Sequence, residues 1–158
     1  MGLNAYAHSV LANVNAVWAA QAPPVALPSL QYVAPGPFDT VSADCEQVVV
    51  SVDAVNRGAP GEPLGVYVRL GEWSATVTVA VWRGCMPSSV SVAAPVAADQ
   101  NAASAITHGD LDIMWRNVEQ ILGVTPCQHH GVLIAELLPI ESVVGGAKLT
   151  VAVDLLSV

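Results

Sequence analysis

At 158 residues the chain is one ordinary domain, long enough to bury a real core. It is 53% apolar and only 11% charged, against the roughly 25% usual for soluble domains, and no apolar run approaches the roughly 18 residues a membrane helix needs. A formal charge of −8, with its basic residues scattered (Arg57, Arg69, Arg83, Arg116 and Lys148), argues against non-specific binding to nucleic acid, which needs clustered Lys and Arg.

The first charged residue is Asp39; Met1 to Phe38 carries none. Within this stretch Leu3, Tyr6, Val10, Leu11, Val14, Val17 and Trp18 recur at helical spacing, which predicts an amphipathic helix stopped by Pro23 and Pro24. "AAQAP" at 19–23 has the small residues of a signal-peptidase site. Nothing upstream is basic and polar residues interrupt the apolar segment, so no cleavage is expected. "APPVALPSLQYVAPGPFDTVSAD" reads as an extended, irregular connection, with "LQYVA" as a short strand or edge segment.

"CEQVVVSVDAV" alternates and is β-branched, which predicts a strand from about Cys45 to Val55. Glu46, Val48, Val50, Val52 and Ala54 form its apolar face; Cys45, Gln47, Val49, Ser51 and Asp53 form a mixed one. "NRGAPGEPLG" is a loop. "VYVRL" and "WSATVTVAVWR" follow, as two strands of a meander or one long strand bulged near Gly71. A helix is expected from Val96 to Leu122, begun by Pro95 and stopped by Gly123 and Pro126. Its inner stripe is Ala103, Thr107, Leu111, Met114, Val118, Ile121 and Leu122, and Gly109 is the place for a kink or break. Asp112 and Arg116 form an i, i+4 surface pair. "HHGVLIAELLPIE" and "AKLTVAVDLLSV" close the chain as a hairpin turning at "SVVGG".

The expected architecture is a single α+β domain over 1–158, in the order α-(β)-β-β-β-α-β-β. A mainly antiparallel sheet is flanked by the N-terminal helix and one long central helix.

Catalytic chemistry finds little support. Cys45, Cys85 and Cys127 lie far apart and are odd in number, against a disulfide framework. Cys127, His129 and His130 offer one metal knuckle where structural zinc needs two. Cys45 lacks the nucleophile turn or helix start that would activate it, leaving it as a strand residue. Asp110 and Asp112 do not converge on a helix and read as solvated surface. Trp18, Trp73, Trp82 and Trp115 read as core or interface rather than a stacking platform. No phosphate loop, dinucleotide fingerprint or HExxH occurs. No catalytic residue, cofactor-binding residue, metal ligand or cofactor is assigned, and the chain is not expected to be an enzyme.

"DCEQVVVSV" opening the main strand, the "RGCMP" loop, "DLDIMWRNVEQIL" in the long helix and the closing "KLTVAVDL" together resemble the tail terminator family of long-tailed bacteriophages of actinobacteria. These are head-to-tail connector or neck proteins, and the resemblance of layout covers nearly the whole chain. It implies a structural virion protein without catalytic residues, assembled in the host cytoplasm into a ring, generally a homohexamer, at the neck. Its partners would be copies of itself, the major tail tube protein and a head completion or stopper protein. DNA would pass through the lumen without specific binding, and no membrane is involved. Independently, low charge and apolar surface suit permanent protein contacts. The expected contacts lie in the proline-rich stretch (Pro23, Pro24, Pro28, Tyr32, Pro35, Pro37, Phe38) and in the 56–65 loop (Arg57, Pro60, Pro63). Alternatives are another connector component, a stopper or adaptor, or a small cytosolic metal-binding or enzymatic domain using Cys127, His129 and His130.

Overall fold

A computed structural model describes residues 2–37, 46–57, 73–83, 97–123, 129–141 and 144–154. Helix α1 spans Leu3–Ala19, strand β1 Leu30–Val33, β2 Gln47–Arg57 and β3 Trp73–Arg83. Helices α2 (Ala97–Arg116) and α3 (Val118–Leu122) follow, then β4 (His129–Glu141) and β5 (Val144–Asp154). The expected "VYVRL" strand and Cys45, Cys85 and Cys127 lie outside the described residues.

The five strands form one sheet in the order β1-β2-β3-β5-β4. The fold is α+β, but the sheet is mixed. β2–β3, β3–β5 and β5–β4 are antiparallel, whereas β1 runs parallel to β2. The physical reason is the connection over residues 34–46, long enough to carry the chain back to the end where β1 began. β3 and β4 also run the same way, with β5 inserted between them and α2 and α3 on the crossover, a split β-α-β unit.

Both helical layers cover one face of the sheet. α1 packs on β1, β2 and α3, and α2 packs on β5 and β4. α1 holds its place through Tyr6, Ala7, Val10, Val14, Val17 and Trp18, all buried. It has no acidic residue in its first turn and no basic residue in its last, so tertiary packing rather than dipole compensation stabilises it. Opposite lie Val48 and Val50 of β2, Ala75, Val77, Val79 and Val81 of β3, and Ala147, Leu149, Val151 and Val153 of β5. Each fully buried valine or leucine contributes about 1.5–3 kcal/mol of burial, so this alternating set dominates the fold's stability.

The central helix is two helices. α2 runs unbroken through Gly109, because Asp110, Ile113 and Met114 are buried on its inner face and offset the glycine's weak propensity. The break falls at Asn117, whose side-chain amide donates to the Ile113 carbonyl at 2.9 Å and shares that acceptor with its own backbone N–H at 3.2 Å. α3 ends at Gly123 in the left-handed region, φ 66. The Tyr6 hydroxyl donates to the Leu122 carbonyl at 3.0 Å and the Asn13 amide to the Ile121 carbonyl at 3.2 Å, so α1 caps α3 across the core. Burial pushes the Tyr6 hydroxyl up from 10.0 to about 12.

The hairpin glycines do not make the turn. Gly145 and Gly146 are buried within β5, and a Cβ on Gly146 would lie 2.2 Å from the Val81 carbonyl oxygen and 3.0 Å from the Trp82 Cα. Glycine is needed there because β3 approaches so closely.

Candidate assembly edge and the clamp behind it

β1 covers only Gln47–Val50 of β2. Beyond it Ala34 still donates to the Val50 carbonyl at 2.8 Å, then the chain leaves at Pro35. An open groove of about 310 Å³ remains between the start of α1, the end of β1 and the far half of β2. Leu3, Val33, Pro35, Val52 and Val55 give it apolar walls, and Leu3 and Val55 are 40% and 39% exposed. Leu30 at the start of β1 is 44% exposed. Large apolar side chains therefore line one edge of the sheet, and the α1 and β1 portion of that edge carries no charged residue.

The expected contact residues divide. Pro23, Pro24, Pro35 and Pro37 are exposed, with the Ala22–Pro23 peptide cis. Pro28 is buried, and its carbonyl accepts from the Gln31 amide at 3.0 Å, so this proline belongs to the packing rather than to the surface. Tyr32 is half-buried, its hydroxyl donating to Gln47 Oε1 at 3.2 Å. Arg57 ends β2, its backbone opposite Trp73; Phe38, Pro60 and Pro63 lie outside the described residues. The proline-rich stretch forms a strand where "LQYVA" was expected to supply a short strand or edge segment. It contains β1, and Gln31 ties it to α1 by accepting from the Asn15 amide at 2.7 Å.

Behind it lies a buried ion pair that corrects the sequence reading of Asp110. This carboxylate is 1% exposed, not solvated, and Arg83 at the end of β3 grips it through both oxygens at 2.7 and 2.8 Å. Trp18 Nε1 donates to Oδ1 at 3.0 Å, and Arg83 Nη1 donates to the Ala26 carbonyl at 2.9 Å. The Arg83–Asp110 pair therefore joins α2, the end of β3, α1 and the proline-rich segment. A fork of this kind is the strong form of charge-assisted hydrogen bond, and every charged atom has partners, as burial requires. Sequence periodicity missed it because the pairing is long-range. The available signal was an Asp on the inner side of a helical stripe.

On the opposite face of the sheet, Asp53 sits at a register shift in β2 and accepts from the Ser51 and Thr78 hydroxyls. Thr78 lies 3.2 Å from Thr150 on β5. This ladder crosses three strands but contains one carboxylate and no base. Among the described residues no group of three His, Cys, Asp or Glu is placed to hold a metal. His129 and His130 open β4, with only their backbones described, and Cys127 lies outside the described residues. His108 is exposed on α2, its Nδ1 against the Ser104 carbonyl at 2.7 Å. Trp18 and Trp82 are buried, as core residues are; Trp115 is 58% exposed. No described helix is long and apolar enough to cross a membrane.

Comparison with protein-family models gave no match, and comparison with curated proteins gave none either.

Proposed function

We propose that this chain is a structural ring subunit of the phage neck, a tail terminator that caps the head-proximal end of the tail tube and joins it to a head completion protein. The ring is a homohexamer. The observation that carries the reading is the edge formed by α1 and β1, where Leu3 and Leu30 are exposed apolar side chains and the chain has no charged residue over its first 38 positions. In a protein of charge −8, copies repel through most of their surface, and this edge is where repulsion is least. The resemblance of "DCEQVVVSV", "RGCMP" and "DLDIMWRNVEQIL" to tail terminators supports the same reading.

The acid excess suits passage of DNA, since a lumen with negative walls holds no phosphate. Arg83, whose guanidinium is already shared between Asp110 and Ala26, does not offer DNA a free cation. Light scattering across a concentration series tests the proposal. A mass settling near six times that of the chain is the expected result, and a compact monomer at every concentration overturns it.

A further inference from the structure

Both edges of the sheet are open among the described residues. At one, β2 continues past β1 to Arg57 with no described neighbour on that side. At the other, β4 pairs only with β5. An edge strand presents a row of unpaired N–H and C=O groups and is a template for another chain.

We infer that these unlike edges pair with each other between copies of this chain: the outer edge of β4 in one copy adds onto the β1 edge of the next. The inference rests on the ring reading above and names the surface that builds the ring. Strand sense favours it. β4 runs opposite to β1 and β2, so copies placed side by side in the same orientation meet as an antiparallel pair, the more stable kind. Strand length favours it too. The β4–β5 register is regular from Ile134 to Leu138 and shifts on either side, so the regular run of β4 is of similar length to the four residues of β1.

Charge complementarity selects a second copy over a charged partner. β1 lies in the uncharged stretch, and Glu136, the acidic residue within the regular run, is already paired with Lys148 at 2.6 Å. Joining the edges therefore buries no unpaired charge, which would otherwise oppose association. Leu30 and Leu137, 44% and 39% exposed, supply apolar area on the two sides. A contact between unlike edges leaves one of each kind free in any open chain of copies, so only a closed ring satisfies all of them.

Disulfide trapping between copies tests this. Cys45, Cys85 and Cys127 are replaced by serine in the full chain, and folding is checked by circular dichroism. Leu30→Cys is then mixed with Glu136→Cys, two positions on the sheet face away from the helices; Gln31→Cys is mixed with Leu137→Cys for the helical face. The expected result is a cross-linked dimer in at least one mixture and in neither of its single variants, with the corresponding double variant giving a ladder that ends at the ring. Self-cross-linking of Glu136→Cys or Leu137→Cys alone means twofold β4–β4 pairing and overturns the inference.

Hydrogen exchange on the unaltered chain does not depend on the serine background folding. Amides of Ile134–Leu138 should slow by tenfold or more, relative to α1, as mass rises with concentration. Rising mass with unchanged exchange places the contact elsewhere, which overturns the inference and leaves the ring reading standing. A monomer at every concentration overturns both.

Discussion

Asp110 and Asp112 lie two residues apart on one helix, and each meets an arginine at 2.7 Å, yet the pairs belong to different physics. Asp112 and Arg116 are 55% and 72% exposed, so water screens them and two long side chains give up freedom to hold one geometry. Asp110 and Arg83 are 1% and 11% exposed, and neither charge has enough water to stand alone. A short distance is therefore no measure of an ion pair's importance. Burial, and what is left behind when one partner goes, decides it.

The largest effect should follow removal of the buried carboxylate. Asp110→Ala leaves the Arg83 guanidinium and the Trp18 N–H without their acceptor, and should destabilise the protein by about 3–5 kcal/mol in urea unfolding. Replacing both partners, Arg83→Met with Asp110→Leu, should lose markedly less than the single change, because no lone charge stays buried. A double variant as damaged as Asp110→Ala would mean that the neutral groups the pair satisfies, the Trp18 N–H and the Ala26 carbonyl, matter more than charge balance.

The next effect is alkaline. The Tyr6 hydroxyl is held protonated in the fold, raised from 10.0 to about 12, so between those values the folded chain binds more protons than the unfolded one. Stability from this group is fully present below pH 10 and should fall, by on the order of 2–3 kcal/mol, as pH rises towards 12. Unfolding midpoints measured over that range should flatten in Tyr6→Phe, which removes the titrating group. An unchanged slope would show that another group is responsible.

The smallest effect belongs to the exposed pair. Asp112→Ala should change stability by no more than about 0.5 kcal/mol, and less at high salt. A loss near that of Asp110→Ala would erase the contrast between the two pairs.

What the sequence made legible follows the same division between local and long-range causes. Alternation from Val48 to Val52 and from Trp73 to Arg83 identified the central strands, and with them the inward Val48, Val50 and Val52 of β2, because a period of two is written into neighbouring residues. The helical stripe of α1 was legible too, although Leu3, counted in it, faces the open groove. The parallel placement of β1 was not legible, since four residues carry no signal of which neighbour they choose. Gly146 read as a turn because a glycine pair at a hairpin ordinarily is one. Its cause, the approach of the Val81 carbonyl, is 65 residues away in the chain by the numbering alone. Asp110 was misread for the same reason: its partner sits on another element. At the candidate edge, composition pointed to an uncharged contact segment. It did not separate exposed Pro23, Pro24, Pro35 and Pro37 from buried Pro28, which only packing decides.

Cryo-electron microscopy of the full-length protein at assembling concentration tests the central claim most directly. A closed six-membered ring is expected, with Leu30 and Val55 of each subunit at the boundary with the next and the Arg83–Asp110 clamp intact inside every subunit. A monomer, or a ring in which Leu30 and Val55 face open solvent, would contradict the claim that this apolar edge exists to join copies.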